Sequence, residues 1–447
     1  IKLSLEGIGA VLRWEDGYTV VNSIVPGGAA ARNGKLKPDD RIIAVAQGDK
    51  AFESVIDMRL NNVVQLIRGK RGTKVGLQVL RKTKKGFDTL KIVIMRDKIV
   101  LKDGEAQSSI FEQPAAVESK SKQEMLRIGV IKLRSFYVDF NDRRKNPGNY
   151  KSSSRDVKVL LKKFVDENVD GVILDLRNNG GGGLDEAINM AGLFIGHNPV
   201  VIVRQSGGRR VTVHRSRERA VYTGPLVIML NRYSASASEI LAGAMHDYQR
   251  AFLVGDTTTF GKGTVQNIFQ LPEGYGALKV TIAQFYRVSG WSTQNRGVET
   301  SFVLPSLNNA REIGESTLDN ALPWRSIDPV SYRVSGNLKK VLPQLKKLSA
   351  ERIANSDFFQ KIDEDVQEYL TKIKPLKYTS ILKMQEDDTR RKTQRDQELA
   401  FATKKETEEK SATEESPESK KEIQRDDYMN ESMAILADYI NLQQKTE

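Results

Sequence analysis

Short apolar runs, alternating with polar positions and cut by glycine turns, fill the first hundred residues and predict a small β-rich unit. Glu6-Gly7-Ile8-Gly9-Ala10-Val11-Leu12 reads as a glycine-hinged loop entering a strand, and residues 18–21 and 24–25 continue the β pattern. Pro26-Gly27-Gly28 is a turn, and Ala29-Ala30-Ala31 starts a short helix stopped at Asn33-Gly34. Residues 39–45 give a turn and a strand. Val55, Met58, Val63, Val64 and Ile67 recur at helical spacing and predict a helix over 55–68, after which 74–80 and 89–95 close the unit as strands.

The pattern then changes. Residues 98–127 are polar and read as an irregular linker. From 128 to 309 apolar strand runs alternate with amphipathic helices, the mark of an α/β core with its sites at the C-terminal ends of strands. Strands fall at 128–133, 171–176, 200–204, 211–214, 226–230, 251–254, 264–271 and 277–288. A helix over 156–167 carries Val157, Leu160, Leu161, Phe164 and Val165 on one face, and a second covers 184–195. Residues 310–447 turn helical, with one stripe at Leu338, Val341, Leu342, Leu345 and Leu348 and another helix over 358–373. The segment 404–427 is charged and low in complexity and is expected to be mobile. Met429, Met433, Leu436 and Ile440 restore an apolar stripe, expected to pack on its own domain.

Composition narrows the chemistry. At 447 residues the chain holds two or three domains, and its lack of cysteine removes thiol nucleophiles, disulfides and Cys-ligated zinc. The formal charge of +13 is spread through the chain and mixed with acidic residues, so an anionic envelope or acidic partner surface fits better than nucleic acid. No stretch reaches the roughly 18 apolar residues a membrane span needs. The first residues already read as a strand, with no leader peptide ahead of them, so the chain is expected to begin inside a larger precursor.

Two segments carry candidate chemistry. The strand at 226–230 runs into Ser234-Ala235-Ser236-Ala237-Ser238-Glu239, which places Ser236 at a strand-to-helix turn. The amides that follow, starting at Ala237, point free N–H groups at whatever the serine attacks, half of an oxyanion hole. A glycine amide from the Gly180-Gly181-Gly182-Gly183 run is a candidate for the other half. Downstream, Gly261-Lys262-Gly263 offers a lysine whose flanking glycines allow close packing. A lysine acting as base near pH 7 needs its pKa lowered from about 10.4, at a cost of about 4 kcal/mol that burial can supply. His197, His214 and His246 lie in different contexts and give a Ser-His-Asp triad little support.

Together these segments resemble the C-terminal processing peptidase family, PDZ-containing Ser-Lys serine proteases. The likeness is carried by Gly171-Val172-Ile173-Leu174-Asp175-Leu176-Arg177-Asn178-Asn179-Gly180-Gly181-Gly182, then Asn231-Arg232-Tyr233-Ser234-Ala235-Ser236-Ala237-Ser238-Glu239, then Thr259-Phe260-Gly261-Lys262-Gly263-Thr264-Val265-Gln266. Residues 1–97 resemble a PDZ domain, with Gly7, Ile8, Gly9 and Ala10 as its carboxylate-binding loop and Asp39 standing where glycine is usual. The resemblance implies a multi-domain α/β protein: a PDZ domain, a protease core of ClpP/crotonase-like type and a helical C-terminal region. It implies Ser236 as nucleophile, Lys262 as base, Gln266 as the residue orienting the lysine, an important aspartate at Asp247, and an oxyanion hole from the amides of Gly182 and Ala237. A carboxylate next to Lys262 would raise the lysine pKa, so a structural role suits Asp247 better. The segment Gly255-Asp256-Thr257-Thr258-Thr259-Phe260 is one residue longer than the family pattern.

The implied activity is cleavage of proteins bearing apolar C-terminal tails, through an acyl-enzyme and without metal or cofactor. The implied compartment is the periplasm. Protein substrates are the expected partners, with an adaptor protein and peripheral attachment to the inner membrane as further candidates. The rival readings are a PDZ scaffold on an inactive core and an acyl-transfer enzyme acting on small esters.

Overall fold

The computed structural model describes residues 4–374 and 423–444, apart from 16, 84–85, 101–103, 116–124, 209 and 273–274. It divides into two compact units, residues 1–105 with 137–152 and residues 106–136 with 153–447.

The first unit runs β1 (Ser4–Gly7), β2 (Ala10–Glu15), β3 (Tyr18–Ile24), α1 (Ala29–Asn33), β4 (Arg41–Gln47), β5 (Glu53–Ser54), α2 (Leu60–Ile67), β6 (Lys74–Thr83), β7 (Gly86–Met95) and β8 (Asp97–Val100), and its second segment adds α3 (Phe140–Lys145). Strands β2, β3, β4, β6 and β7 form an antiparallel sheet in that order, and β1 pairs with β8. Val21, Ile42, Val63, Val75, Leu77 and Ile94 belong to its core. Helix α2 starts at Leu60 rather than at 55. Val55 is held in a turn by its N–H to the Ile43 carbonyl, and Asp57 takes φ +60°, which a right-handed helix excludes. Asp39, at the position where glycine is usual, adopts φ +65° and pairs with Arg13 at 3.0 Å. Aspartate tolerates the left-handed region better than most residues, so the turn keeps its shape.

The described residues between 98 and 127 are not an irregular linker. Their first part forms β8, and β9 (Gln107–Pro114) pairs antiparallel with β10 (Met125–Lys132) as an edge of the main sheet. An edge strand buries little of its surface, which is why its polar composition hid it.

The second unit continues with α4 (Ser153–Asp166), β11 (Gly171–Asp175), α5 (Leu184–Ile195), β12 (Pro199–Gln205), β13 (Val211–Arg215), β14 (Leu226–Leu230), α6 (Ala237–Asp247), β15 (Phe252–Gly255), β16 (Thr264–Gln270), β17 (Ala277–Tyr286), β18 (Phe302–Val303), α7 (Leu307–Ala310), α8 (Leu338–Ala354), α9 (Asp357–Glu368) and a C-terminal helix, Asp427–Gln444. Its main sheet has the order β18-β15-β14-β11-β10-β9 and is parallel except for β9. A second, antiparallel sheet has the order β13-β12-β17-β16.

The parallel strands are apolar on both faces because both are covered. Helix α4 packs on β10, and α6 on β15. Ile173, Val227, Met229 and Phe252 belong to a core shared with Met429, Met433, Leu436 and Ile440 of the C-terminal helix. The final stripe therefore packs on its own domain. Gly171 lets that helix close, since a Cβ there would lie 2.8 Å from Leu436 Cδ2. Arg352 of α8 pins the helix through Glu431 at 2.9 Å and Asp438 at 2.7 Å. Residues 404–422 of the charged segment lie outside the described residues.

Truncating Leu436 to Ala is expected to cost roughly 2–5 kcal/mol by leaving a cavity against Gly171. Denaturant titration of the intact chain, following the transition of the second unit, checks it.

Candidate active site

The turn between β14 and α6 sorts the three serines. Ser234 is fully buried, and its hydroxyl donates to the Leu176 carbonyl at 2.9 Å. Ser238 is equally buried and donates to the Asn179 carbonyl at 2.8 Å. Both are structural. Ser236 is only half-buried, and its hydroxyl donates to no group among the described residues. Its backbone takes φ +57° and ψ −110°, a conformation that costs a non-glycine residue about 1–3 kcal/mol. Such strain persists only where the surroundings enforce it. Here the Ala235 N–H is held by the Asn179 carbonyl and the Ser236 N–H by the Glu239 carboxylate at 2.7 Å.

The glycine run packs directly against this turn. A Cβ on Gly181 would lie 2.8 Å from Ser236 Cβ and 2.9 Å from the Ala237 nitrogen. Within the run the Gly181 N–H is taken by Asn179 Oδ1 and the Gly183 N–H by the Phe136 carbonyl. The Gly182 and Ala237 N–H groups have no acceptor among the described residues. A side chain at Gly182 would sit 2.1 Å from the Phe136 oxygen, so only glycine fits. Two free amides beside a strained serine are the donor pair an oxyanion requires.

Lys262 lies just ahead of β16. Its Nζ donates to Thr264 Oγ1 at 3.0 Å and to Gln266 Oε1 at 3.3 Å. Residues i, i+2 and i+4 of an extended segment share a face, which explains the grouping. Gln266 thus meets the lysine amine, the contact an orienting role would need. Thr264 was not anticipated, although the K-x-T-x-Q spacing contains it. Burial lowers the Lys262 pKa from its ordinary value, and Lys279 adds to this, against the opposing charges of Glu315 and Glu239. Among the described residues Lys262 makes no hydrogen bond to Ser236. Catalytic hydrogen bonds commonly tighten only when substrate is bound.

What joins the serine and lysine loops is Glu239, a residue of the serine motif whose role the sequence did not reveal. Its carboxylate is fully buried in the first turn of α6 and accepts from the Ser236 N–H, Thr259 Oγ1 at 2.6 Å, the Gly261 N–H at 2.6 Å and the Lys262 N–H at 3.0 Å. Burial pushes its pKa up to about 7 despite these four donors. The extra residue in 255–260 leaves Lys262 tied to this hub.

Asp247 is not part of the cluster. It lies at the far end of α6, eleven residues from Ser236 and so about 16 Å along the axis. Its carboxylate is bound by Arg287 and by the Ser289 hydroxyl at 3.1 Å. Burial alone would raise its pKa, but hydrogen bonds from His246 and Arg287 and the Arg287 charge hold it below the usual carboxylate range. The geometry gives Asp247 a structural role. His246 sits beside it at that same distant end, which excludes a triad with Ser236. No cluster of acidic or histidine side chains among the described residues is placed to hold a metal ion.

In the first unit, Gly7, Ile8 and Gly9 are buried and Ala10 opens β2. The Ile8 and Gly9 carbonyls accept from Ala30 and Val25, while the Ile8 and Gly9 N–H groups have no partner among the described residues. Strand β2 is an edge, α2 packs against it, and Val11 and Trp14 are exposed along it. Free amides at the head of an open strand edge suit a peptide carboxylate followed by β-augmentation.

Residues 127–304 match the profile of Peptidase family S41, residues 2–80 that of the PDZ domain, and residues 308–441 that of the C-terminal domain of tail specific protease. The chain is 40% identical over 378 residues to the Tail-specific protease of Haemophilus influenzae, covering 82% of this chain and 50% of that protein. It therefore spans about half the length of that relative. It is 31% identical over 386 residues to the Carboxy-terminal processing protease CtpA of Bacillus subtilis, covering 86% of this chain and 72% of that one. Among solved structures, the PDZ domain of the Carboxy-Terminal Protease from Vibrio cholerae in complex with peptide is 48% identical, covers 22% of this chain and 97% of that one, and superposes with a TM-score of 0.21. The chain belongs to peptidase family S41, serine-type carboxy-terminal processing proteases with a PDZ domain.

Changing Glu239 to Gln would set an amide NH2 against the N–H donors. It is expected to slow labelling of Ser236 by a serine-directed fluorophosphonate about a hundredfold. In the wild type, labelling should rise with pH as Lys262 loses its proton. The rise should steepen below about 7, where Glu239 becomes protonated and weakens as an acceptor. The Gln variant should lose that lower inflection and keep the upper one.

Proposed function

We propose that this protein is a Ser-Lys endopeptidase that captures the free, apolar C-terminus of a protein substrate on its PDZ domain and cleaves the chain at Ser236. The observation that carries this reading is the pairing of a strained Ser236, whose hydroxyl donates to no group among the described residues, with the Gly182 and Ala237 N–H groups, which have no acceptor among them, tied through Glu239 to a partly buried Lys262.

In this mechanism Ser236 Oγ attacks the scissile carbonyl while neutral Lys262 takes its proton. The oxyanion is met by the Gly182 and Ala237 amides. Lys262 then passes the proton to the leaving amine, and water, deprotonated by the same lysine, releases the acyl group. Thr264 and Gln266 keep the amine in place during both steps. The periplasm is the proposed compartment: a chain without cysteine is compatible with oxidising conditions, and a charge of +13 suits an anionic envelope. That charge also motivates an acidic adaptor or peripheral membrane association as proposed partners.

Ser236→Ala is expected to abolish cleavage of a tail-bearing substrate while binding of its C-terminal peptide persists. Lys262→Arg should be equally inactive although it keeps the charge, because a guanidinium does not deprotonate in this range. Single-turnover acylation of folded variants tests both, and substantial acylation by Lys262→Arg would rule out lysine as the base.

Amidating the peptide's C-terminus should weaken its binding by about 1.5–3 kcal/mol, the scale of a charge-assisted hydrogen bond. Calorimetry with capped and free peptides measures the difference. Equal affinities would reduce the Gly7–Ala10 segment to a turn.

A further inference from the structure

The antiparallel sheet that carries the lysine also borders a cavity that the reaction described above does not use. It has a volume of about 450 Å3 and is lined by Arg204, Gln205, Thr281, Gln284 and Arg325, among others, with no carboxylate in its lining. This size is within the range of small-ligand pockets. Neither guanidinium has an acidic or carbonyl partner among the described residues. Some other arginines of this unit are ion-paired, as Arg177 is with Asp175 and Arg352 with Glu431. Gln284 Oε1 accepts from the Tyr286 hydroxyl at 3.1 Å, which leaves its amide NH2 free to donate.

Register sets this cavity beside the catalytic lysine. Arg204 of β12 lies opposite Gln284 of β17, and Gln284 lies opposite Thr264 of β16. Directly opposed residues of an antiparallel sheet share a face, so Arg204, Gln284 and Thr264 form one row. The same face carries the contact between Gln266 and Thr281 at 3.5 Å. Thr264 holds the Lys262 amine at 3.0 Å. Two inter-strand spacings separate Arg204 from Thr264, about 10 Å, which an extended peptide covers in about three residues.

Resting on the endopeptidase reading above, we propose that Arg204 and Arg325 form a subsite for a substrate carboxylate two to four residues from the scissile bond. Planar guanidinium groups bind carboxylates in bidentate fashion, and the free Gln284 amide supplies a further donor. The carboxylate is either an acidic side chain or the free terminus of a short departing segment, and the chemistry of recognition is the same.

The test uses the full chain and fluorescein-labelled neutral peptides. One series carries Glu or Gln at each position from four before to four after the cleavage site, with an amidated end. A second has no acidic side chain and ends in a free acid or an amide at each of those distances. Anisotropy on Ser236→Ala protein reads binding without chemistry, and wild-type turnover is measured in parallel. One carboxylate position should bind about tenfold more tightly than its neutral counterpart, and the first or second series identifies the source. The Arg204→Met, Arg325→Met double variant should erase that preference while cleaving the neutral peptide at a rate within about twofold of wild type. A preference confined to the free-acid series and surviving in the double variant belongs to the PDZ loop and overturns the subsite. So does equal binding of Glu and Gln peptides at every position. A wild-type enzyme that cuts no peptide refutes the endopeptidase reading separately, because the binding contrast does not require turnover.

Discussion

The candidate site depends on one buried carboxylate. Glu239 accepts four hydrogen bonds from two loops more than twenty residues apart, the Ser236 turn and the Thr259–Lys262 segment. A carboxylate buried without partners costs several kcal/mol, and the partners here are what make its position tolerable. The converse also holds. Ser236 is kept in a conformation unfavourable for a residue with a side chain because its N–H is fixed at one end of this hub, and Lys262 is placed because its own N–H is fixed at the other. The Phe260 N–H reinforces the link by donating to the Ser234 carbonyl.

Around this hub the protein uses glycine where chain must touch chain. Gly182 runs past the Phe136 carbonyl at a distance no side chain allows, and Gly181 lies against the Ser236 turn. These approaches put the Gly182 and Ala237 amides, without acceptors among the described residues, on the two segments flanking Ser236. The sheet beneath is held from both sides, by α4 to α6 and by the C-terminal helix. The chain's last described segment is therefore part of the protease core itself. Its Met429, Met433 and Leu436 complete a hydrophobic layer begun some three hundred residues earlier, at Leu126 and Ile128.

Charge is distributed by function in the second unit. Arg177, Arg287 and Arg352 are structural, each bound to carboxylates that neutralise it. Lys262 is the opposite case, with hydroxyl and amide acceptors as its hydrogen-bond partners, so that burial lowers its pKa instead of an ion pair raising it.

Periodicity and local motif were enough to read the α/β alternation, the β-rich first unit, the helices of the C-terminal region and Ser236 and Lys262 as candidates, while Gln266 came only with the family resemblance. These are local properties: strands buried on both faces show as continuous apolar runs, and a nucleophile turn shows as a strand meeting a helix. The K-x-T-x-Q alternation also contained Thr264, legible in hindsight from the two-residue period of a strand. Other features had no local signature. Strand β9 is polar because it is an edge, and helix α2 loses its first turn to a left-handed Asp57. Which of three serines has a hydroxyl not spent on a carbonyl depends on Leu176 and Asn179, nearly sixty residues away. The role of Glu239 depends on a loop more than twenty residues downstream, and the displacement of Asp247 from the site depends on the length of α6 and on Arg287. Sequence singled out the candidate groups. Tertiary structure decided which of them meet, because hydrogen-bond partners and desolvation are set by residues brought close only in the fold.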